Sequence, residues 1–313
     1  MKTYFPFLRG KMNELMALRN LGASISERGN VIPVIEPVKG NPTTRISLDQ
    51  YIEDSMPFVF ICNPFNGEFE NQSERLFTPL ISETLLEYDN WTPALQVQRD
   101  SARNDVSSFL ERYREYEVAF VYWGLPEDSQ VRGLLSNEQI RWHIFIGNRV
   151  ETDYVGGIDL RRRVMIADRF NRQPRNADYP EIELFSDMNT VAGNPTRVSF
   201  GDFSMVGDYY ADTGGPAYAV ALHHIHLRTG TGPLYISHFI SDRTETTADR
   251  AGKTLEAVDK LVAALDQLMP NNTQACREYR QIAADRMDRG LGYMKRLAIA
   301  HHLEVMLDGG IQL

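Results

Sequence analysis

Cysteine is scarce: the 313-residue chain has two, Cys62 and Cys276. They stand far apart in apolar or helical surroundings, which predicts buried free thiols in a reducing compartment. No Cys-x-x-Cys occurs, so a structural zinc of the usual kind is not expected. Net positive charge is also missing. The formal charge is −9 and the isoelectric point about 5.4, which argues against a dedicated nucleic-acid surface while leaving a local basic patch open. No run of about eighteen apolar residues is present, so no membrane span is expected. The opening MKTYFPFLRGK reads as too short and too charged for a signal peptide, and a cytoplasmic protein is the expectation. No Gly-rich phosphate loop follows the first apolar run, and no Gly-x-Ser-x-Gly elbow exists.

What the chain does have is apolar residues, 42% of it, enough for a large core. They come in a rhythm. Eight short apolar runs precede residue 205, at 4–8, 31–36, 57–62, 91–97, 118–123, 142–146, 164–167 and 198–203. Most are continuous and not alternating, the pattern of parallel strands buried on both faces. Helical segments fall between them, at 12–21, 43–55, 73–88, 102–116 and 130–140, with a short candidate at 181–187. Eight such alternations predict an α/β chain built as a (β/α)8 TIM-barrel-like fold, ahead of a doubly wound open sheet.

The last third differs. Runs 217–227 and 234–241 flank Arg228-Thr-Gly-Thr-Gly232, a β-hairpin signal. Leu255, Val258, Val262, Leu265 and Met269 then form a helix seam, followed by helices at 274–289 and 291–307. The organisation expected is a barrel over 1–210 and a hairpin-and-helix elaboration over 211–313, packed as one integrated domain. The seam either covers the barrel or holds a partner.

In α/β folds chemistry is built where strands end at their carboxyl side. Several runs here end in residues that can do chemistry. Arg9, Lys11, Glu36, Lys39, Asn63, Gln96 and Asp168 are the candidate ligand-binding set, since cations and carboxylates on neighbouring strands can hold an anionic group. Lys11, Glu36, Asp202 and Asp208 are the candidates for proton transfer; Asp202 and Asp208 also read as ordinary Gly-Asp turn residues. His223-His224-Ile225-His226 offers His224 and His226 on one strand face, with His238 on the opposing strand. Exposed hairpin histidines are the preferred reading, so no metal ligands are assigned and no cofactor is expected, although a divalent metal stays open. His301-His302 points two ways from a helix. Arg161-Arg162-Arg163 reads as a solvated loop.

The segment Tyr4-Phe-Pro-Phe-Leu-Arg-Gly-Lys11, with Asn13-Glu14-Leu15 and Ala17-Leu18, then Ile32-Pro-Val-Ile-Glu-Pro-Val-Lys39, resembles the opening of the beta protein family of phage satellites and bacterial genomic islands. Gly207-Asp208-Tyr209 is similar to that family's Gly-Asp-Tyr stretch. Arg9 separated by Gly10 from Lys11, and Pro37-Val38-Lys39 after Glu36, place the likeness nearer a bacterial branch. The resemblance implies a barrel, a setting in phage defence and a nearby-encoded, nuclease-like protein partner. It implies no catalytic activity.

Two other functions are weighed. Arg-Gly after the first strand and Glu at the end of the second superficially resemble glycerophosphodiester phosphodiesterases, metal-dependent barrel enzymes. Leu8 stands where those have histidine, and Pro37-Val38 replaces their Glu-x-Asp. A non-catalytic interaction protein using helices 255–307 is the third reading.

Overall fold

The computed structural model describes residues 2–70, 72–211, 215, 218–228 and 232–310. The chain divides into two compact units. Unit 1 comprises Met1–Leu15, Gly22–Asp168 and Thr196–Phe203; unit 2 comprises Met16–Leu21, Arg169–Pro195 and Ser204–Leu313. The second unit therefore begins before residue 210 and takes in the segment between the seventh and eighth barrel strands.

Unit 1 carries an eight-stranded parallel sheet. Its strands are β1 (Phe7–Leu8), β2 (Val34–Ile35), β3 (Phe58–Ile61), β4 (Trp91–Val97), β5 (Val118–Tyr122), β6 (Ile140–Ile146), β7 (Arg163–Ala167) and β9 (Ser199–Asp202). They lie in the order β1-β2-β3-β4-β5-β6-β7-β9. A parallel bridge between Tyr4 and Phe200 joins the two ends, reinforced by the Phe5 amide donating to the Phe200 carbonyl at 2.8 Å. The sheet thus curls into a TIM-barrel-like (β/α)8 fold, as the rhythm of the sequence predicts. Between the strands come α1 (Met12–Arg19), α2 (Gly22–Arg28), α3 (Pro42–Glu53), α4 (Ser73–Leu76), α5 (Arg103–Arg112), α6 (Ser129–Leu134) and α7 (Thr152–Gly157).

Strand phase decides what fills the barrel. Phe5, Phe7, Val34, Val59, Ile61, Ala94, Val121, Ile144, Ile146, Ile166 and Phe203 form one buried cluster. Within each strand they are two residues apart, as side chains on one face must be. The opposite phase packs outward and is equally buried: all seven residues of β4 are. Pro33 does not interrupt the ladder, because only its carbonyl is used, accepting from the Val59 amide at 2.8 Å. The helices start on identifiable caps. Asn41 Oδ1 accepts from the Thr44 amide, and Pro42 occupies the first helical position.

Several boundaries differ from expectation. The 73–88 helix is α only as far as Leu76 and continues as a π-helical stretch, Phe77–Leu85. The 130–140 helix stops at Leu134, and Ile140 already belongs to β6.

Unit 2 holds an antiparallel sheet of β8 (Ile182–Ser186), β10 (Ala221–Leu227) and β11 (Leu234–Ile240), ordered β10-β11-β8. The hairpin is present; its connection at 229–231 lies outside the described residues. The 181–187 helix is not: that segment is β8, paired antiparallel with β11. Ile182 and Leu184 share an exposed face while Phe185 is buried, and the β11 edge supplies the partner that a short window of sequence does not reveal.

Three helices, α8 (Arg250–Ala264), α9 (Gln274–Asp285) and α10 (Leu291–Val305), pack on Leu222 of this sheet and on Val220 just before it. Val258, Leu261 and Leu265 are completely buried there, Leu255 and Val262 partly. The seam is consumed inside its own unit. Met269, its last expected member, is 42% exposed. Helix α9 ends at Asp285 because Arg286 turns left-handed, at φ 54°.

Candidate functional site

Extending the inward phase of the barrel strands past their last apolar residue gives a single polar layer. Phe7 leads to Arg9, Val34 to Glu36, Ile61 to Asn63, Ala94 to Gln96, and Val121 to Trp123. All five sit at carboxyl ends, where this fold places its sites.

Glu36 is the hub and is fully buried. One carboxylate oxygen forms an ion pair with Arg9 and accepts from Asn66 Nδ2 at 3.3 Å. The other accepts from the Phe65 amide at 2.7 Å and from Asn66 Nδ2 and Gln96 Nε2, each at 3.2 Å. Gln96 passes the network on: its Oε1 accepts from Trp123 Nε1 at 2.7 Å. Asn63 locks Gln96 in place, accepting from its amide at 2.7 Å and donating to its carbonyl at 2.9 Å. Burying a carboxylate is tolerable only when it is paired and hydrogen-bonded, and here four residues serve it.

Arg9 is the other half of the layer. Its guanidinium lies 5.2 Å from the Phe7 ring centre and 5.6 Å from those of Trp123 and Phe203. Its backbone amide donates to Glu14 at 2.7 Å. Gly10 then turns left-handed at φ 60°, and a β-carbon there would come within 2.8 Å of the Glu36 carbonyl. Only glycine fits, which explains the Arg-Gly pair at the end of the first strand. Above the layer, exposed Arg149 stacks its guanidinium 4.7 Å from the Trp123 ring centre. One indole is therefore flanked by two cations, Arg9, paired with Glu36, and Arg149 at the solvent side.

The sequence candidates separate. Arg9, Glu36, Asn63 and Gln96 come together. Lys11 is half-buried, and its carbonyl accepts from the Glu14 and Leu15 amides as α1 begins. Lys39 is exposed, with its carbonyl accepting from the Thr44 hydroxyl. Asp168 is exposed, one residue past β7 and in the inward phase. Asp202 has the outward phase: the buried Tyr4 hydroxyl donates to it at 2.8 Å. Burial, then the Asp202 charge, hold that phenol well above its usual range. Asp208 belongs to unit 2, so the two aspartates do not share a unit. Trp123, Asn66 and Arg149 escaped the sequence reading. Trp123 was detectable by carrying the strand phase forward; Arg149, in a turn after β6, was not.

Beside this layer a cavity of about 440 Å³ opens, lined among others by Cys62, Asn63, Gln96, Asp100, Arg112 and Tyr113. Burial pushes the Cys62 thiol up to about 12, so it is a neutral thiol and not a nucleophile at neutral pH.

In unit 2 the strand register places the histidines on two faces. His238 lies opposite His223, and their Nδ1 atoms are 2.7 Å apart. His238 Nε2 also reaches Glu183 at 3.1 Å, and Tyr179 stacks on the His238 ring. Burial holds His223 down at about 3. His224 and His226 occupy the other face, with Leu222, toward the helices. The expected grouping of His238 with His224 and His226 is thus broken by strand alternation. His224 instead stacks on His301 of α10, ring centres 3.9 Å apart.

Among the described residues no helix is long and apolar enough to cross a membrane. Comparison with known proteins returned no matching family model, no matching curated protein and no matching solved structure.

Proposed function

We propose that the chain is a binding protein whose barrel mouth receives a small anionic ligand, with Arg149 and the Trp123 face as the contact surface. The single observation behind this reading is the two-cation flank of Trp123. Arg149 is exposed, with its guanidinium 4.7 Å from the indole ring centre. An anion arriving at the mouth meets an oriented guanidinium, the preferred partner for carboxylate and phosphate groups.

Binding is favoured over catalysis because Glu36 already accepts from four residues and has no place as a free base. That also weakens the phosphodiesterase reading. Among the described residues, the one group of three side chains that could hold a metal lies in unit 2. The consumption of the α8 seam within unit 2 weakens the reading of helices 255–307 as a partner surface. Phage defence with a nuclease-like partner is proposed with the mouth reading, and it rests on the resemblance of the opening segment alone.

All three tryptophans, Trp91, Trp123 and Trp142, belong to unit 1, so indole fluorescence is a fitting probe. Inorganic phosphate, citrate and mononucleotides are titrated against the full chain. The expected result is a saturable change with at least one, weakened at least tenfold in Arg149→Gln, about the value of one charge-assisted hydrogen bond. No saturable response to any of the panel, or an unaltered response in the variant, overturns the reading. In a plaque assay Arg149→Gln should reduce protection; full protection would break the link to phage defence.

A further inference from the structure

A fully buried polar group that the proposed function leaves unused is on the helix-facing side of the unit 2 hairpin. His224 is fully buried, yet neither of its ring nitrogens has a hydrogen-bond partner among the described residues. Buried imidazoles normally find one. Around it stand Cys276 near the start of α9 and His301 on α10. One ligand atom from each of the three lies within 4.8 Å of the others, and all three residues are buried.

His301 has the wiring of a metal ligand. Its Nε2 lies 2.7 Å from the Ile225 carbonyl, a position that requires the proton on that nitrogen. Its Nδ1 is then the lone-pair nitrogen, accepting from the Thr273 hydroxyl at 2.8 Å and standing 3.7 Å from Cys276 Sγ. Fixing one ring nitrogen on a backbone carbonyl so that the other faces an ion is the usual outer-shell arrangement of a ligating histidine. The Cys276–His301 distance is also right. Two ligands bound tetrahedrally at about 2.3 Å (sulfur) and about 2.05 Å (nitrogen) sit about 3.6 Å apart. The His224 ring, stacked on His301, has to turn about its Cβ–Cγ bond to aim an in-plane lone pair at the same ion.

We infer that His224, Cys276 and His301 form a buried site for one soft d10 cation, Cu+ or Zn2+, which ties the hairpin to α9 and α10. Two imidazoles and a thiolate are the donors such ions prefer, and no oxygen ligand suited to Mg2+ or Ca2+ belongs to the set. On binding, the Cys276 S–H bond breaks, its proton leaves to solvent, and a sulfur–metal bond forms; no electron is transferred. The Thr273 hydroxyl turns its hydrogen away from His301. Charge balance favours Cu+, because thiolate and monovalent ion cancel. Zn2+ would leave one positive charge, for which Glu304 is the nearby carboxylate. Both histidines are neutral at neutral pH, since burial holds His301 at about 3 and His224 well below its usual value, so no imidazole proton has to be displaced. This site is independent of the mouth.

The test uses the full chain, purified under reducing conditions from cells supplied with zinc or with copper, and measured by elemental mass spectrometry. It is then stripped and titrated with Zn2+ or Cu+ under anaerobic conditions. About one equivalent of one ion per chain is expected, with a fall in melting temperature on stripping and recovery on re-addition. Cys276→Ser and His224→Phe should lose the ion, while Cys62→Ser keeps it. His224→Phe fills the ring's space without needing a partner, so far-ultraviolet circular dichroism should show it folded. Wild-type chain that holds neither ion and whose melting temperature responds to neither overturns the site, as does undiminished binding by both ligand variants.

Discussion

Glu36 and His224 are both fully buried. Glu36 accepts hydrogen bonds from Arg9, Phe65, Asn66 and Gln96; His224 has none from the described residues. The difference separates two kinds of buried polarity. A charge surrounded by fitted donors is complete, and its removal breaks the neighbours that were built around it. A neutral ring without partners costs stability as it stands, and persists where something else makes use of it. On this ground Glu36 holds the strand ends together, and His224 is the group that the proposed metal site would put to use.

The largest effect should come from breaking the complete side. Glu36→Ala leaves the Arg9 guanidinium without its carboxylate and Phe65, Asn66 and Gln96 without their acceptor. Loss of one partner of a buried pair costs about 3–5 kcal/mol. Urea unfolding followed by tryptophan fluorescence reads it in unit 1. Replacing both partners, Arg9→Met with Glu36→Leu, should recover much of the loss. If Glu36→Ala costs under about 1 kcal/mol, the network is not what closes the mouth. The same experiment shows why Glu36 is a poor choice for testing function: its loss confounds binding with stability.

How much of this was legible in the sequence follows the range of the interactions. The eight strands were, because a strand buried on both faces writes a continuous apolar run that depends on no distant residue. The polar layer was half legible. Arg9, Glu36, Asn63 and Gln96 end their runs, but Asp202 ends one too, and only the strand phase sends it outward to Tyr4. Phase is fixed by pairing register, which a one-residue shift inverts. The 182–186 strand was illegible for a similar reason, since its partner lies about fifty residues on. The His224–Cys276–His301 group joins three separate elements, β10, α9 and α10, and in the sequence His301 reads as one of a His-His pair that points two ways from a helix. No local pattern links them.

Next in size is a titration inside unit 1. The buried Tyr122 hydroxyl lies 2.8 Å from His143 Nδ1. Burial holds His143 down at about 4 and the phenol well above its usual range, so tyrosine is the donor and the ring is neutral. An unfolded histidine titrates near 6.5. Between about pH 4 and 6.5 the unfolded chain therefore binds a proton that the folded chain does not, and stability rises with pH across that window and is flat above it. The slope is about 1.4 kcal/mol per pH unit, or about 3 kcal/mol over the whole window. His143→Gln keeps an acceptor for Tyr122 but cannot take the proton. Its pH profile, read by tryptophan fluorescence, should be flatter than wild type by that amount. Equal slopes would mean that His143 is solvated in the native state.

The smallest effect sharpens the comparison most, because its sign differs from that at Glu36. In metal-free protein, His224→Phe removes a buried imidazole with no partner and supplies an apolar ring to stack on His301. Relieving an unsatisfied buried group is worth about 1–3 kcal/mol, offset in part by the larger ring in a packed core. The variant should therefore match or exceed metal-free wild type in stability by about 1 kcal/mol, read by far-ultraviolet melting, since unit 2 contains no tryptophan. With metal present the order should reverse, because only wild type gains the binding energy, about 2.7 kcal/mol at a hundredfold excess over Kd. One substitution that stabilises the empty protein and destabilises the supplied one distinguishes a ligand from a core residue. If His224→Phe is destabilising under both conditions by the same amount, His224 is held by packing alone, and the two buried polar regions do not differ in kind.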